Sequence, residues 1–180
     1  MSVHRKQILA ISGSTREKSN NAHLIQWIVA TYTELDFVIY KDLSALPHFN
    51  VDLDITTPPL PVTELRQALN AADGVLICTP EYAMGIPGSL KNLLDWTVSS
   101  SDFSKKPVAV ITASTSGEKA HQSLLGTLRV IEAKIEDAAT LVISHIKAKV
   151  NDRAEITDEK TKQNIQKLMK AFMTELDSQN

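Results

Sequence analysis

The chain has 180 residues, 43% of them hydrophobic, and a formal charge of −2 at neutral pH, which suits one domain with a layered core and no need of disulfides or structural metal. That balance gives no electrostatic reason to bind nucleic acid, and it is far from the strongly acidic surface of a dedicated electron shuttle. The lone Cys78 excludes an intramolecular disulfide and suits a reducing compartment, so cytoplasm is the expected location; MSVHRKQILAISGS resembles neither a signal peptide nor a spanning helix, and no later stretch is apolar enough to cross a bilayer.

Ile8 to Ser12 is an apolar run that stops at Gly13, and a polar segment then leads into Leu24, Ile25, Ile28, Val29 and Tyr32 at helical spacing. Phe37 to Tyr40 reads as a second strand. The irregular stretch from Asp42 to Pro61 holds four of the seven prolines and is expected to be a lid or an interface. Leu65, Ala68, Leu69 and Ala72 mark a second helix, and Val75 to Cys78 a third strand. After it, Pro80, Gly85, Pro87 and Gly88 restrict or free the backbone at set points, and Pro87 suits a first helical turn followed by Leu90, Leu93, Leu94, Thr97 and Val98. Pro107 to Thr112 is continuously apolar, as in a strand covered on both faces, and ends in the loop ASTSGEK. Leu124, Leu125, Leu128, Ile131 and Ile135 predict a fourth helix, Thr140 to Ile143 a fifth strand, and Ile165, Leu168, Met169, Phe172 and Leu176 a last helix. This alternation argues for an α/β fold with a doubly wound parallel sheet and helices on both faces, in one domain spanning 1–180, and the order 2-1-3-4-5 is the expected arrangement that sets the first, third and fourth strands side by side.

Three loops carry candidate chemistry. In GSTREKSNN, Gly13 to Asn21, a helix N-terminus offers unpaired N–H groups, Ser14, Thr15 and Ser19 offer hydroxyls, and Arg16 offers a planar fork of donors. Such a set suits an anion, most naturally a phosphate. The Gly-Lys-Ser/Thr ending of a P-loop is absent and only one glycine is present, which disfavours nucleoside triphosphates and a Rossmann-bound dinucleotide. The competing reading is a polar loop in which Ser19 or Asn20 caps the helix. In TPEYAMGIPG, backbone N–H groups and Tyr82 could meet a flat ring, and Gly85 permits close approach; the competing reading is a turn with a surface tyrosine. STSGE, Ser114 to Glu118, leaves space rather than supplying reactive groups. All three leave the C-terminal ends of strands that the 2-1-3-4-5 order places side by side, so they are expected to line one crevice.

GSTREKSNN resembles the GSxRxxSxN phosphate loop, and TPEYAMGIPGSLKNLLDW the PEYNxxxPGxLKNxxDW segment, of the NADPH-dependent FMN reductase family. The resemblance runs from the first strand to the fourth helix with both motifs in order. It implies a flavodoxin-like fold, FMN as cofactor and NADPH or NADH as electron donor. By the same resemblance, Ser14, Arg16, Ser19 and Asn21 match positions that hold the FMN phosphate, with Asn20 between them. Pro80, Glu81 and Tyr82 match the segment beside the isoalloxazine ring, and Ser114, Ser116 and Gly117 fall where a third loop borders its other side. Ala83 stands where the family pattern has Asn, an amide near the flavin, so contacts at that point are expected from the backbone or elsewhere.

The reaction so implied needs no side-chain acid or base: a nicotinamide delivers hydride to the flavin and gives way to a small acceptor such as a quinone, an azo compound, free flavin, or a ferric or chromate species. A homodimer or homotetramer is implied as well. A flavodoxin-like electron carrier and a flavin-free binding protein of the same fold are the alternatives. Elsewhere, His4, His23, His48, His121 and His145 lack the spacing of a metal site. Cys78 reads as a small buried hydrophobe, Trp96 as packing or subunit interface, and the lysines at 160, 162, 167 and 170 as a solvated face.

Overall fold

The five apolar runs pair into one parallel sheet in the computed structural model, which describes residues 5–16, 19–151 and 153–179. Its strands are β1 (Gln7–Ser12), β2 (Asp36–Tyr40), β3 (Gly74–Thr79), β4 (Val108–Ala113) and β5 (Thr140–Ile143), in the order β2-β1-β3-β4-β5 expected from the sequence. The helices are α1 (Asn20–Thr31), α2 (Leu60–Ala71), α3 (Gly88–Asp95), α4 (Glu118–Val130) and α5 (Glu159–Asp177). His4, and Glu17 and Lys18 of the first loop, lie outside the described residues.

Alternation along the strands divides the apolar side chains between two cores. Ile8, Ala10, Leu76, Cys78, Ala109 and Ile111 face α1 and α5, whereas Leu9, Ile11, Val75, Ile77, Val108 and Val110 face α2, α3 and α4. Every residue of β3 and β4 is buried, as parallel strands with helices on both faces require. Gly74, which precedes the apolar run, opens β3 because Phe172 and Leu176 press against it: a Cβ there would lie 2.7 Å from Leu176 Cδ2. Cys78 is fully buried, and burial pushes its thiol well above the ordinary range, in keeping with a packing role.

Two helices are shorter than expected: α4 ends at Val130, so Ile135 lies beyond it, and α3 ends at Asp95. The stripe of α3 stops at Asp95, so Thr97 is buried but Val98 is 58% exposed. The Thr97 hydroxyl donates to Leu94 O (2.8 Å), which also accepts from Thr97 N (3.1 Å), so the buried hydroxyl is satisfied at the helix end. The Asp42–Pro61 stretch, expected as a lid or an interface, is fastened to α3. Asn92 Nδ2 donates to Pro47 O (2.9 Å), Asn92 Oδ1 accepts from Phe49 N (2.7 Å), and Trp96 Nε1 also donates to Pro47 O (2.8 Å). The Phe49 ring meets the fully buried Trp96 indole edge-on at 5.1 Å, which makes Trp96 a packing residue.

Candidate functional site

The site begins where β1 ends. Gly13 crosses the end of β3 so closely that a Cβ would stand 2.3 Å from Thr79 Oγ1, and Gly13 N donates to Cys78 O at 2.8 Å. Only glycine permits this approach. Beyond it the chain folds on itself: Ser14 N donates to Ser12 Oγ (3.3 Å), and Arg16 N donates to Ser14 Oγ (3.3 Å). Ser19 caps α1, its Oγ accepting from Ala22 N at 3.0 Å, which leaves its hydroxyl proton free for a ligand. The capping reading and the anion reading of this loop are therefore compatible.

Asn21 is 3% exposed, and its Nδ2 donates to Ala113 O at 3.2 Å. Its Oδ1 has no partner among the described residues. One of the two amide N–H groups is thus held by β4, and the unpaired Oδ1 is an acceptor that suits a hydroxyl.

Glu81 joins the second loop to the third. Its Oε2 accepts from Ala120 N (2.9 Å) in the first turn of α4, and its carbonyl accepts from Ser114 Oγ (3.5 Å). That helix begins at Gly117, which has φ of 104° and no side chain to cap with, so Glu81 supplies the missing acceptor from another element. Behind it, His121 Nδ1 lies 2.9 Å from Thr112 Oγ1, and burial pulls the imidazole below its ordinary value despite the opposing pull of Glu118.

These loops enclose a cavity of about 460 Å³, a size typical of small-molecule sites. Of the expected site residues, Ser14, Arg16, Ser19, Asn20, Asn21, Pro80, Glu81, Tyr82 and Ser114 line it, and Ala83, Ser116 and Gly117 do not. Tyr82 N donates to Gly85 O and Gly85 N to Tyr82 O, both at 2.9 Å, closing a two-residue turn whose centre, Ala83 and Met84, has φ of 48° and 62°. The paired positive φ values are those of a type I′ turn, in which Asn is favoured for its backbone. What Ala83 lacks is turn propensity. Ser116 is exposed and its carbonyl accepts from Ser144 Oγ (3.1 Å), while Gly117 is required by conformation, since a Cβ would also press on Val142 and Thr112.

Sequence reasoning missed the fourth wall. The segment His145–Ala148 after β5 lines the cavity as well, beside Thr115 of the β4 loop. His145 takes φ of 55°, its N donates to Thr115 O (3.2 Å), and Ile146 N donates to Ser114 O (3.1 Å), so this segment folds back onto the β4 loop. The sequence signal that could have found it is the pairing of buried Ile146 with exposed Lys147 immediately beyond a strand end.

The set fits FMN by its chemistry: a cation and helix N–H groups for a phosphate, an orphaned acceptor for a hydroxylated chain, and Pro80 and Tyr82 as flat walls for a ring. Comparison with known proteins points the same way. The chain is 29% identical over 171 residues to an NAD(P)H-dependent FMN reductase of Pseudomonas aeruginosa, with 92% of each chain covered. It is 30% identical over 175 residues to a 2-hydroxy-1,4-benzoquinone reductase of a Burkholderia species, covering 92% of this chain and 93% of that one. The solved structure of a flavoenzyme NAD(P)H:(acceptor) oxidoreductase from Paracoccus denitrificans superposes with a TM-score of 0.84 at 28% identity, covering 96% of this chain and 98% of that one. Residues 7–148 match the description of NADPH-dependent FMN reductases, and the chain belongs to that family of FMN-containing, NAD(P)H-dependent oxidoreductases with a flavodoxin-like fold.

Proposed function

We propose that the cavity holds FMN between the β1, β3 and β4 loops and that the enzyme passes electrons from NADH or NADPH to a small quinone-type acceptor. The observation that carries this reading is the convergence of both motifs on one cavity that also contains a buried, unpaired Asn21 Oδ1. Arg16, the Ser14 and Ser19 hydroxyls and the N-terminus of α1 hold the phosphate; Asn20 flanks them; Asn21 Oδ1 accepts from a hydroxyl of the ribityl chain. Pro80 and Tyr82 border the ring, and Glu81 keeps the β3 loop in register with α4. FMN itself supplies the hydride chemistry, and the chain's part is to bind, orient and limit access to it. The quinone-type acceptor is argued from the relatives' activities, and azo compounds, free flavin, ferric and chromate species are the other acceptors to compare.

The reading extends to the whole protein: one domain spanning 1–180, located in the cytoplasm and acting as a homodimer or homotetramer. Support for association comes from large apolar side chains left exposed along the Asp42–Pro61 segment and the β3 turn, notably Val51 (72%) and Met84 (76%). Among the described residues no helix is long and apolar enough to cross a membrane.

The test is a titration of the purified protein with FMN, followed by anaerobic addition of NADH or NADPH and then of benzoquinone. Saturable flavin binding, bleaching by nicotinamide alone and recolouring by quinone are expected. Failure to take up FMN would favour a flavin-free binding protein, and bound flavin that nicotinamide does not bleach would favour an electron carrier. Light scattering of the eluted species reads the oligomer.

A further inference from the structure

The β5 segment brings a cation to the cavity that no motif announces. Lys147 sits in the short helical turn Ile146–Ala148, lines the cavity and is exposed. The turn is pinned on both sides by buried Ile146 and Val150 and by the bond from Ile146 N to Ser114 O. Lys147, like several surface lysines, has no hydrogen-bond or ion-pair partner among the described residues, and it is the lysine that lines the cavity.

Topology places Lys147 on the phosphate side of the cavity. Ile146 and Val150 belong to the core under α1 and α5, together with Leu24 and Ile25 of α1. The β3 loop leads instead into α3, which packs on the opposite face of the sheet. The first turn of α1 and the β5 segment also lean on one strip of chain: Asn21 Nδ2 donates to Ala113 O, and Ile146 N and His145 N donate to Ser114 O and Thr115 O. The β1 loop and Lys147 thus flank the end of β4 from the same face.

Charge supplies the need. A phosphomonoester carries roughly −1.5 to −2 at pH 7, while a helix N-terminus offers only about +0.5. Among the described lining residues Arg16 is the one other permanent cation, and Glu81 adds a negative charge. Resting on the FMN reading above, we infer that Lys147 is a second phosphate-binding cation, which closes on the cofactor phosphate opposite Arg16 and completes the anion subsite from the far edge of the sheet.

The experiment compares FMN with riboflavin, which has the ring and the ribityl chain but no phosphate. Dissociation constants are read by fluorescence quenching for the wild type and for Lys147→Ala, Lys147→Arg and Arg16→Ala, at low and high salt. Lys147→Ala should weaken FMN binding by roughly ten-fold, the scale of one lost charge-assisted hydrogen bond. Riboflavin binding should be unchanged, Lys147→Arg should restore FMN affinity, and the salt dependence should be shallower in the alanine variant. Equal FMN affinity in wild type and Lys147→Ala, with Arg16→Ala still weakened, overturns this inference and leaves the cofactor reading standing. So does an unchanged FMN affinity accompanied by a raised KM for NADPH, which would assign Lys147 to the nicotinamide donor. A wild type that binds neither FMN nor riboflavin overturns both readings, and an equal loss of FMN and riboflavin affinity in Lys147→Ala would show a packing effect and overturn the phosphate contact.

Discussion

Ala83 and Met84 hold consecutive left-handed conformations, with φ of 48° and 62°, and neither is a residue that adopts them readily. A side chain in that region costs about 1–2 kcal/mol, and Asn escapes part of the cost through local hydrogen bonding. Ala83→Asn should therefore raise the unfolding free energy by about 0.5–1 kcal/mol, measured as a higher urea midpoint. FMN affinity should be unchanged, because residue 83 does not line the cavity; a marked gain in affinity would instead mean that an amide there reaches the ring. The motif showed that this residue departs from the family pattern, but not why. A string of residue types does not record the sign of φ, so a turn requirement and a ligand contact look alike. Gly117 belongs with it: it sits within the third candidate loop, and its φ of 104° is a conformational requirement that a string of residue types does not record. Asn21 differs again: its place in the first candidate loop was legible, but that its Oδ1 is the unpaired atom depends on Ala113, far away in the chain.

At the scale of elements, strands and helices were readable because periodicity is local. The continuous apolar runs of β3 and β4 and the stripes of α4 and α5 each carry their own signal. The Asp42–Pro61 segment was not readable, because its order comes from long-range hydrogen bonds. Asn92 alone supplies two of them, to Pro47 O and from Phe49 N. Asn92→Ala should cost about 2 kcal/mol, near 1 kcal/mol for each bond lost, and should speed amide exchange at Phe49 far more than in β1 or β3. Uniform acceleration across the protein would mean that the segment unfolds with the whole and not by itself. Arg66 reinforces the same anchorage, with its guanidinium on Trp96 O (2.7 Å) and Asp54 (2.8 Å).

The whole molecule binds its shifted groups in a direction that sets its response to acid. His121 is held below its ordinary 6.5 by burial, Asp54 below its ordinary value chiefly by the Ser99 hydroxyl and then by Arg66, and Glu175 chiefly by Lys134. Each depressed group binds protons more readily in the unfolded chain, so its contribution is complete above the unfolded value and is lost as pH falls through the folded one. Stability should therefore be flat just above pH 6.5, decline first through His121, and decline again below about pH 4 as the carboxylates protonate. His121→Gln should flatten the first step and leave the second, as read from denaturant midpoints across the pH range. The candidate site is also a property of the whole. Three of its walls were legible because their motifs leave adjacent strands, while the wall from β5 carried no motif and enters only through the sheet order and the bonds from His145 and Ile146 to the β4 loop. Those bonds have a temporal consequence. Arg16 and Lys147 stand most of the chain apart, and the β4 loop is the bracket on which both sides of the cavity hang. During synthesis the first wall emerges long before the last, so the complete pocket requires the β5 turn to dock on the β4 loop.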